Sequence, residues 1–290
     1  MEQSVDFPVP SCWKLAERSV DLSRRPCIMG ILNVTPDSFS DGSRFLDLDR
    51  AEERAFQMVE EGADIIDIGG ESTRPNTAPV DAEEELRRVI PLVERLAGRI
   101  PVPVSVDTYK AVVAREALGA GAEIVNDISG LTFDPAMAAV VAEAAAGLVV
   151  MHTRGRPDTM QQNTAYGNLI AEVLDSLRRS VSAAEGAGVA RDRIVVDPGI
   201  GFAKSVQGNL EILRRLREFA VLQLPLLIGT SRKSFIGSVL GRDVDERLFG
   251  TAATVSLAVA NGASIIRVHD VREMRDVADM THAVLHSGAC

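Results

Sequence analysis

Residues 64–70 read DIIDIGG and residues 194–199 read IVVDPG, two short runs rich in Ile and Val that break off in glycine. A strand buried on both faces has this near-continuous apolar character, whereas a strand exposed on one face alternates. Working outward, the same kind of run recurs at Cys27–Val34, Val102–Thr108, Ile124–Ser129, Leu148–His152, Leu226–Ser231 and Ile265–Asp270, which makes eight in all. Amphipathic stretches follow almost every run. They predict helices near Asp49–Glu61, Ala82–Ala97, Tyr109–Leu118, Asp134–Ala144, Asn168–Glu185, Asn209–Phe219, Asp245–Ala260 and Val271–Leu285. Eight such units predict an α/β fold, a (β/α)8 TIM barrel, whose active site lies at the C-terminal ends of the strands. There the chain places Asn33, Asp67, Asp107, Asn126, His152, Asp197, Ser231, His269 and Asp270. Polar chemistry therefore converges on one face.

The remaining features bound this reading. A chain of 290 residues, 46% hydrophobic and 25% charged, suits one barrel with one sizeable core. Residues 1–26 precede the first run and carry Trp13, which predicts a short hairpin or cap over the N-terminal end of a barrel spanning 27–290. A formal net charge of −10 argues against a protein that coats nucleic-acid phosphates. Cys12, Cys27 and Cys290 lie far apart with no metal-type spacing, which fits a reduced, cytoplasmic protein. No secretory signal and no uncharged run of membrane-spanning length is visible, so no membrane association is expected. Three strand-to-helix loops, Thr35–Asp47, Glu71–Asp81 and Arg154–Tyr166, are long enough to act as lids.

Seven strings in order along the chain carry a family resemblance: GILNVTPDSFSDG (30–42), DIIDIGGESTRP (64–75), VSVDT (104–108), IVNDISG (124–130), DPGIGFAK (197–204), GTSRKSFIG (229–237) and RVHD (267–270). Together they resemble the dihydropteroate synthases. Those enzymes join 6-hydroxymethyl-7,8-dihydropterin pyrophosphate to 4-aminobenzoate and release pyrophosphate, a step of folate biosynthesis. A pterin ring offers amino and ring N–H donors beside oxygen and nitrogen acceptors. Asp107 and Asp197 can accept from such a ring, and Asn126 can do both. The resemblance adds Lys233 as a cation for the ring's acceptor edge. Strand-end Asp and Asn residues also serve simply as helix caps.

For the pyrophosphate, Arg267 and His269 alternate on the last strand and so point to the same side. A buried Arg267–Asp270 ion pair is the structural alternative. The resemblance implies that Asn33 works with Mg²⁺ and the diphosphate oxygens, and that Thr73 and Arg74 also serve the diphosphate. It implies that the loop bearing Asp37 and the catalytic Asp41, and the loop bearing Ser72, Thr73 and Arg74, fold over bound substrate. Phe39, Pro75, Phe202 and Ser234 would then form the 4-aminobenzoate site. The backbone N–H groups at a helix start near Ser234 suit a carboxylate, although an exposed SRKS turn can also be only a cap. His152 reads equally as pocket wall or as a structural residue. Asn76 stands where glycine is common in the family, and asparagine tolerates a left-handed backbone better than most residues.

The chemistry implied needs no protein nucleophile, because the aromatic amine attacks the pterin methylene carbon. A dissociative displacement is expected, with Mg²⁺, Arg267 and His269 on the leaving diphosphate and with Asp107 and Asp197 favouring a cationic ring. A barrel that uses methyltetrahydrofolate and hands a methyl group to a corrinoid protein could share Asp107, Asn126 and Asp197. It would not need TPDSFSDG, SRKS or RVHD. An inactive pterin-binding paralogue is a further alternative. The resemblance also implies a homodimer, with the outer helices of the last units as contact surfaces, and inhibition by sulfonamides, which mimic 4-aminobenzoate.

Overall fold

A computed structural model of the chain describes residues 10–34, 44–73 and 77–287, with the side chains of 44–46 left aside. A small antiparallel hairpin comes first, β1 (Cys12–Lys14) with β2 (Ser19–Asp21). The barrel strands follow: β3 (Cys27–Asn33), β4 (Ile65–Gly69), β5 (Val104–Asp107), β6 (Ile124–Asp127), β7 (Gly147–Met151), β8 (Ile194–Asp197), β9 (Leu227–Ile228) and β10 (Ile265–Val268). All are parallel, in the order β8-β7-β6-β5-β4-β3-β10-β9. A parallel bridge between Val196 and Leu226 joins the two outer strands, with the Val196 N–H donating to the Pro225 carbonyl at 3.0 Å. The sheet thus closes into the expected (β/α)8 barrel.

Around it stand α1 (Arg44–Glu60), α2 (Ala82–Leu96), α3 (Ala111–Gly119), α4 (Met137–Glu143), α5 (Leu169–Gly186), α6 (Val206–Arg214), α7 (Ser234–Leu240), α8 (Leu248–Ala260) and α9 (Val271–His286). Two helices differ from expectation. The helix expected at Asn209–Phe219 begins earlier, because the Ser205 side chain caps the Gly208 N–H at 3.1 Å. It stops at Arg214, and Leu216–Leu222 continues as a 3₁₀ helix. Between β9 and α8 the chain inserts the short helix α7, ended by Gly241 in a left-handed conformation (φ 65°).

Side chains alternate across each strand, and the two faces have separate jobs. Outward residues such as Ile66, Ile68, Val106, Val125, Val150, Val196 and Ile266 pack under the helices in the main core. Inward residues nearest the N-terminal end, among them Met29, Ile65, Ile124, Val149, Val195, Leu227 and Ile265, form a second core with Trp13 and Leu15 of the hairpin. Trp13 is fully buried, and its indole N–H donates to the Arg193 carbonyl at 2.7 Å. Gly147 makes room for this plug: a Cβ there would stand 2.5 Å from Leu15 Cδ2 and 3.1 Å from the Trp13 ring. The bottom of the barrel is closed and dry. Ligands must therefore enter at the other end.

Candidate active site

At the C-terminal end the inward positions turn polar. Strand register aligns Asn33 with Gly69, Gly69 with Asp107, and Asp107 with Asn126 across four neighbouring strands. Gly69 keeps the middle of this row bare, since a Cβ on it would lie 3.3 Å from Asn33 Oδ1 and 3.7 Å from Asp107 Cβ. Gly229 does the same opposite, where a Cβ would lie 3.7 Å from Arg267 Cβ and 3.9 Å from Lys233 Nζ. Two missing side chains thus open the mouth between charged groups.

Arg267, inward on β10, reaches across the barrel. Its Nε donates to Asp67 Oδ2 and its Nη2 to Asp107 Oδ2, both at 2.6 Å. Asn126 Nδ2 donates to the same Asp67 oxygen at 3.0 Å. The other oxygen of each carboxylate, Oδ1 of Asp67 and of Asp107, is buried without a hydrogen-bond partner. Burial pushes the Asp107 carboxyl above the usual carboxylate range, Arg267 pulls it down, and the negative Asp67 adds to the rise. An orphaned acceptor of this kind is costly to bury and gains most from a ligand that brings an N–H donor.

The facing wall is the turn after β8. Asp197 Oδ1 accepts the Gly199 N–H at 2.7 Å. Burial raises the Asp197 carboxyl, and the charge of Lys233 opposes the shift. Lys233 Nζ donates to the Ile200 carbonyl and lies 4.7 Å from the centre of the Phe202 ring. Burial pushes its ammonium down to about 8, against the attraction of Asp197. Gly201 sits at φ +84°, and a Cβ on it would come within 2.8 Å of Lys233 Cδ. The glycine lets the turn wrap the lysine. Phe202 itself is buried in a small apolar cluster with Tyr109, Met151 and Met160.

Asp107, Asn126, Asp197 and Lys233, which the sequence reading assigns to a pterin, and Arg267, which it assigns to a pyrophosphate, therefore lie around one mouth. His269 is fixed at the upper end of β10 by Ser231, whose Oγ lies 3.0 Å from His269 Nδ1 and accepts the His269 backbone N–H at 3.1 Å. Asn33 is half-buried at the end of β3, and Thr73 is half-buried after β4. Ser234 is the exposed first residue of α7. Asp37, Phe39, Asp41, Arg74, Pro75 and Asn76 lie outside the described residues.

Two alternatives left open by the sequence are decided. The Arg267–Asp270 pair does not form, because Asp270 points away from the barrel interior and takes both Nε (3.0 Å) and Nη2 of Arg232. Arg267 is engaged by carboxylates on both sides. His152 is a buried partner of Lys204, with Nδ1 at 2.9 Å from the ammonium. Two residues given no role in the sequence reading matter here. Asp67 is a charged residue inside an otherwise apolar strand, two positions before Gly69 and with the same inward parity, which is a readable signal. Lys204 closes the DPGIGFAK string, and its burial has no local sequence signal.

The architecture defines a class: a barrel with a carboxylate, amide and lysine cluster at its strand ends, matched over residues 29–269 by the pterin binding enzyme family. The dihydropteroate synthase of Synechocystis sp. is 48% identical over 279 residues, 96% of each chain. A crystal structure of dihydropteroate synthase from Clostridium difficile in the presence of pteroic acid is 48% identical, with a TM-score of 0.86 over 90% of this chain and 97% of that one. The Yersinia pestis enzyme in complex with a sulfonamide drug is 42% identical, with a TM-score of 0.89 over 94% and 99% of the two chains. The chain belongs to the dihydropteroate synthase family.

Proposed function

We propose that this chain joins 6-hydroxymethyl-7,8-dihydropterin pyrophosphate to 4-aminobenzoate, giving 7,8-dihydropteroate and pyrophosphate. The carrying observation is the buried Asp107–Arg267–Asp67 bridge with unpartnered carboxylate oxygens, set across the mouth from Asp197 and Lys233. Family membership supports the same reading. The amino and ring N–H groups of a pterin would satisfy Asp107 and Asp197, Asn126 would add a donor or acceptor, and Lys233 would face the acceptor edge.

The bond that breaks joins the pterin methylene carbon to a diphosphate oxygen, the bond that forms joins that carbon to the nitrogen of the aromatic amine, and that nitrogen gives up one proton to solvent. In a dissociative path the ring carries positive charge as the diphosphate departs. Asp107 and Asp197 stabilise that charge. Arg267 balances Asp67 and Asp107 before the ligand arrives. Ring donors take the free Oδ1 of Asp107, so Arg267 keeps both carboxylates and its remaining N–H groups are left for the departing diphosphate, with His269 just beyond the same strand.

Asn33 fits Mg²⁺ in a limited way. Its amide oxygen is a hard donor at the mouth, and among the described residues no group of three or more His, Cys, Asp or Glu is arranged to hold a metal. Such an ion would be held by Asn33, water and the substrate's own oxygens, as Mg²⁺ commonly is. When bound, it would supply charge neutralisation to the diphosphate. A homodimer is the quaternary state proposed. Its support is α8, LFGTAATVSLAVA, apolar on all sides yet with Phe249 85% and Leu257 54% exposed. Free Cys12 and Cys27 support action in the cytoplasm.

Pyrophosphate release by purified protein tests the reading, with the pterin pyrophosphate, Mg²⁺ and 4-aminobenzoate each omitted in turn. Release that requires all three is the expected result. Pterin binding without release would favour the methyl-transferring or inactive barrel instead. A sulfonamide is expected to compete with 4-aminobenzoate in the same assay.

A further inference from the structure

The turn after β8 is held from behind by the buried side chain of Lys204. Lys204 is 3% exposed, and its Nζ reaches the Gly199 carbonyl, the Phe202 carbonyl and His152 Nδ1, all at 2.9 Å, with the His152 carbonyl further off at 3.4 Å. These three short contacts engage every N–H that the amine carries. Burial and the neighbouring Lys204 charge push the His152 imidazolium far down, which leaves a neutral ring whose Nδ1 accepts. No carboxylate shares a hydrogen bond with Lys204 among the described residues. Burial pushes the Lys204 ammonium well below its ordinary value, with the charge of Asp197 opposing the shift, so an amine sunk among carbonyls and an imidazole is an expensive way to fill space.

The geometry of the turn shows what that amine controls. Two carbonyls, those of Gly199 and Phe202, face Lys204; of the two between them, that of Ile200 faces Lys233 on the ligand side and that of Gly201 accepts from the Gln161 side-chain amide at 2.9 Å. Gly199 (φ +73°) and Gly201 (φ +84°) are left-handed, and so is Ala203 (φ 50°), a conformation that costs a residue with a side chain. Ala203 is tied down through its carbonyl by the Tyr166 hydroxyl at 2.9 Å. A side chain at Gly199 would run into the His152 carbonyl, so the turn also lies flat against the strand that carries His152.

We infer that Lys204, seated on His152, is a positioning residue for the condensation: it holds the turn in the one form that presents Asp197, the Ile200 carbonyl and Phe202 to the mouth. The inference rests on the mouth being the ligand site proposed above. Lys204→Met keeps the stem and removes every donor, so the Gly199 and Phe202 peptides are free to turn.

The test labels the protein with 4-fluorophenylalanine, assigns the Phe202 ¹⁹F resonance by its loss in Phe202→Leu, and pairs the spectra with steady-state kinetics and a thermal melt. In folded Lys204→Met the Phe202 resonance should move or broaden and kcat/KM should fall by about 30-fold or more. Water would also reach Lys233, so the alkaline limb of the kcat/KM profile should move to higher pH, a change that a merely structural role would not produce. His152→Leu should repeat these effects more weakly, and His152→Asn, which keeps an acceptor in place of Nδ1, should recover most of the loss. A folded Lys204→Met with resonance, kcat/KM and alkaline limb all in place overturns the inference. If Lys204→Met does not fold, equal spectra and kinetics for His152→Leu and His152→Asn overturn it. The ¹⁹F spectra report on the turn even if the wild-type protein releases no pyrophosphate, so failure of the functional reading would be recognised separately.

Discussion

Along β4 the inward side chain changes from Ile65 to Asp67, along β6 from Ile124 to Asn126, along β8 from Val195 to Asp197, and along β10 from Ile265 to Arg267. Each change takes two residues, roughly 6–7 Å of strand. Below it lies an apolar plug closed by Trp13, and above it lies a cluster of buried charges. The two regions share the same strands and the same parity, yet one is built to exclude water and the other to receive a ligand. The dry plug is also part of the chemistry. It closes the barrel beneath the carboxylates, whose burial raises both Asp107 and Asp197.

The sharpest way to separate the two ends is at the upper one. Asp197→Ala should lower turnover on the order of 10³-fold, while a thermal melt stays within a few degrees of wild type. Retained turnover would remove Asp197 from the site. At the lower end, Trp13→Ala should cost about 3–5 kcal/mol in denaturant unfolding and leave kcat per folded molecule nearly intact. A matching loss of kcat would mean that the ends are coupled through the strands.

A smaller effect is expected at the boundary. Asp67→Asn removes one of the two carboxylates on Arg267 and one repulsion on Asp107, so kcat/KM should drop about 10-fold, with the ion-pair range as guide. The acid limb of its pH profile should move down, because Asp107 then ionises more readily. An unmoved acid limb would show that Asp67 does not act on Asp107.

The gentlest probe is pH itself. Lys233 is a cation below about 8 and neutral above it. Ligand binding that uses the cation is therefore present below that value and lost as pH rises through it. For the wild type, kcat/KM should fall about tenfold per unit on the alkaline side. Lys233→Arg should move that limb beyond the measured range. A flat profile up to pH 10 would rule out Lys233 as the group that sets it.

Much of this was legible before any coordinates. Short Ile- and Val-rich runs ending in Asp, Asn or glycine specify buried parallel strands and the face that carries chemistry, because burial on both sides and polar strand ends are both written locally. Trp13 beside an apolar neighbour at Leu15 announced a cap for the same reason. What was hidden depends on closure of the barrel. Arg267 meets Asp67 across 200 residues of chain and Asp107 across 160. No local spacing announces such a partner, and the sequence offers only the neighbouring Asp270 as a structural alternative to an anion-binding Arg267. Lys204 was hidden differently: a lysine after a glycine turn normally faces water, and only the packing of β7 against β8 buries it. Asn209 looked like a helix start, but its side chain turns back to take the Gly201 N–H at 2.6 Å, and Ser205 begins the helix instead.

The plug also bears on the order in which the chain assembles. Trp13 precedes every barrel strand in the chain, yet its packing partners run as far as Ile265 of β10, the last of them. The hairpin therefore has no finished seat until the last strand is in place. Because it is the single tryptophan of the chain, its fluorescence during refolding is a natural clock for the final event, the moment at which the ring of strands shuts and its floor is sealed.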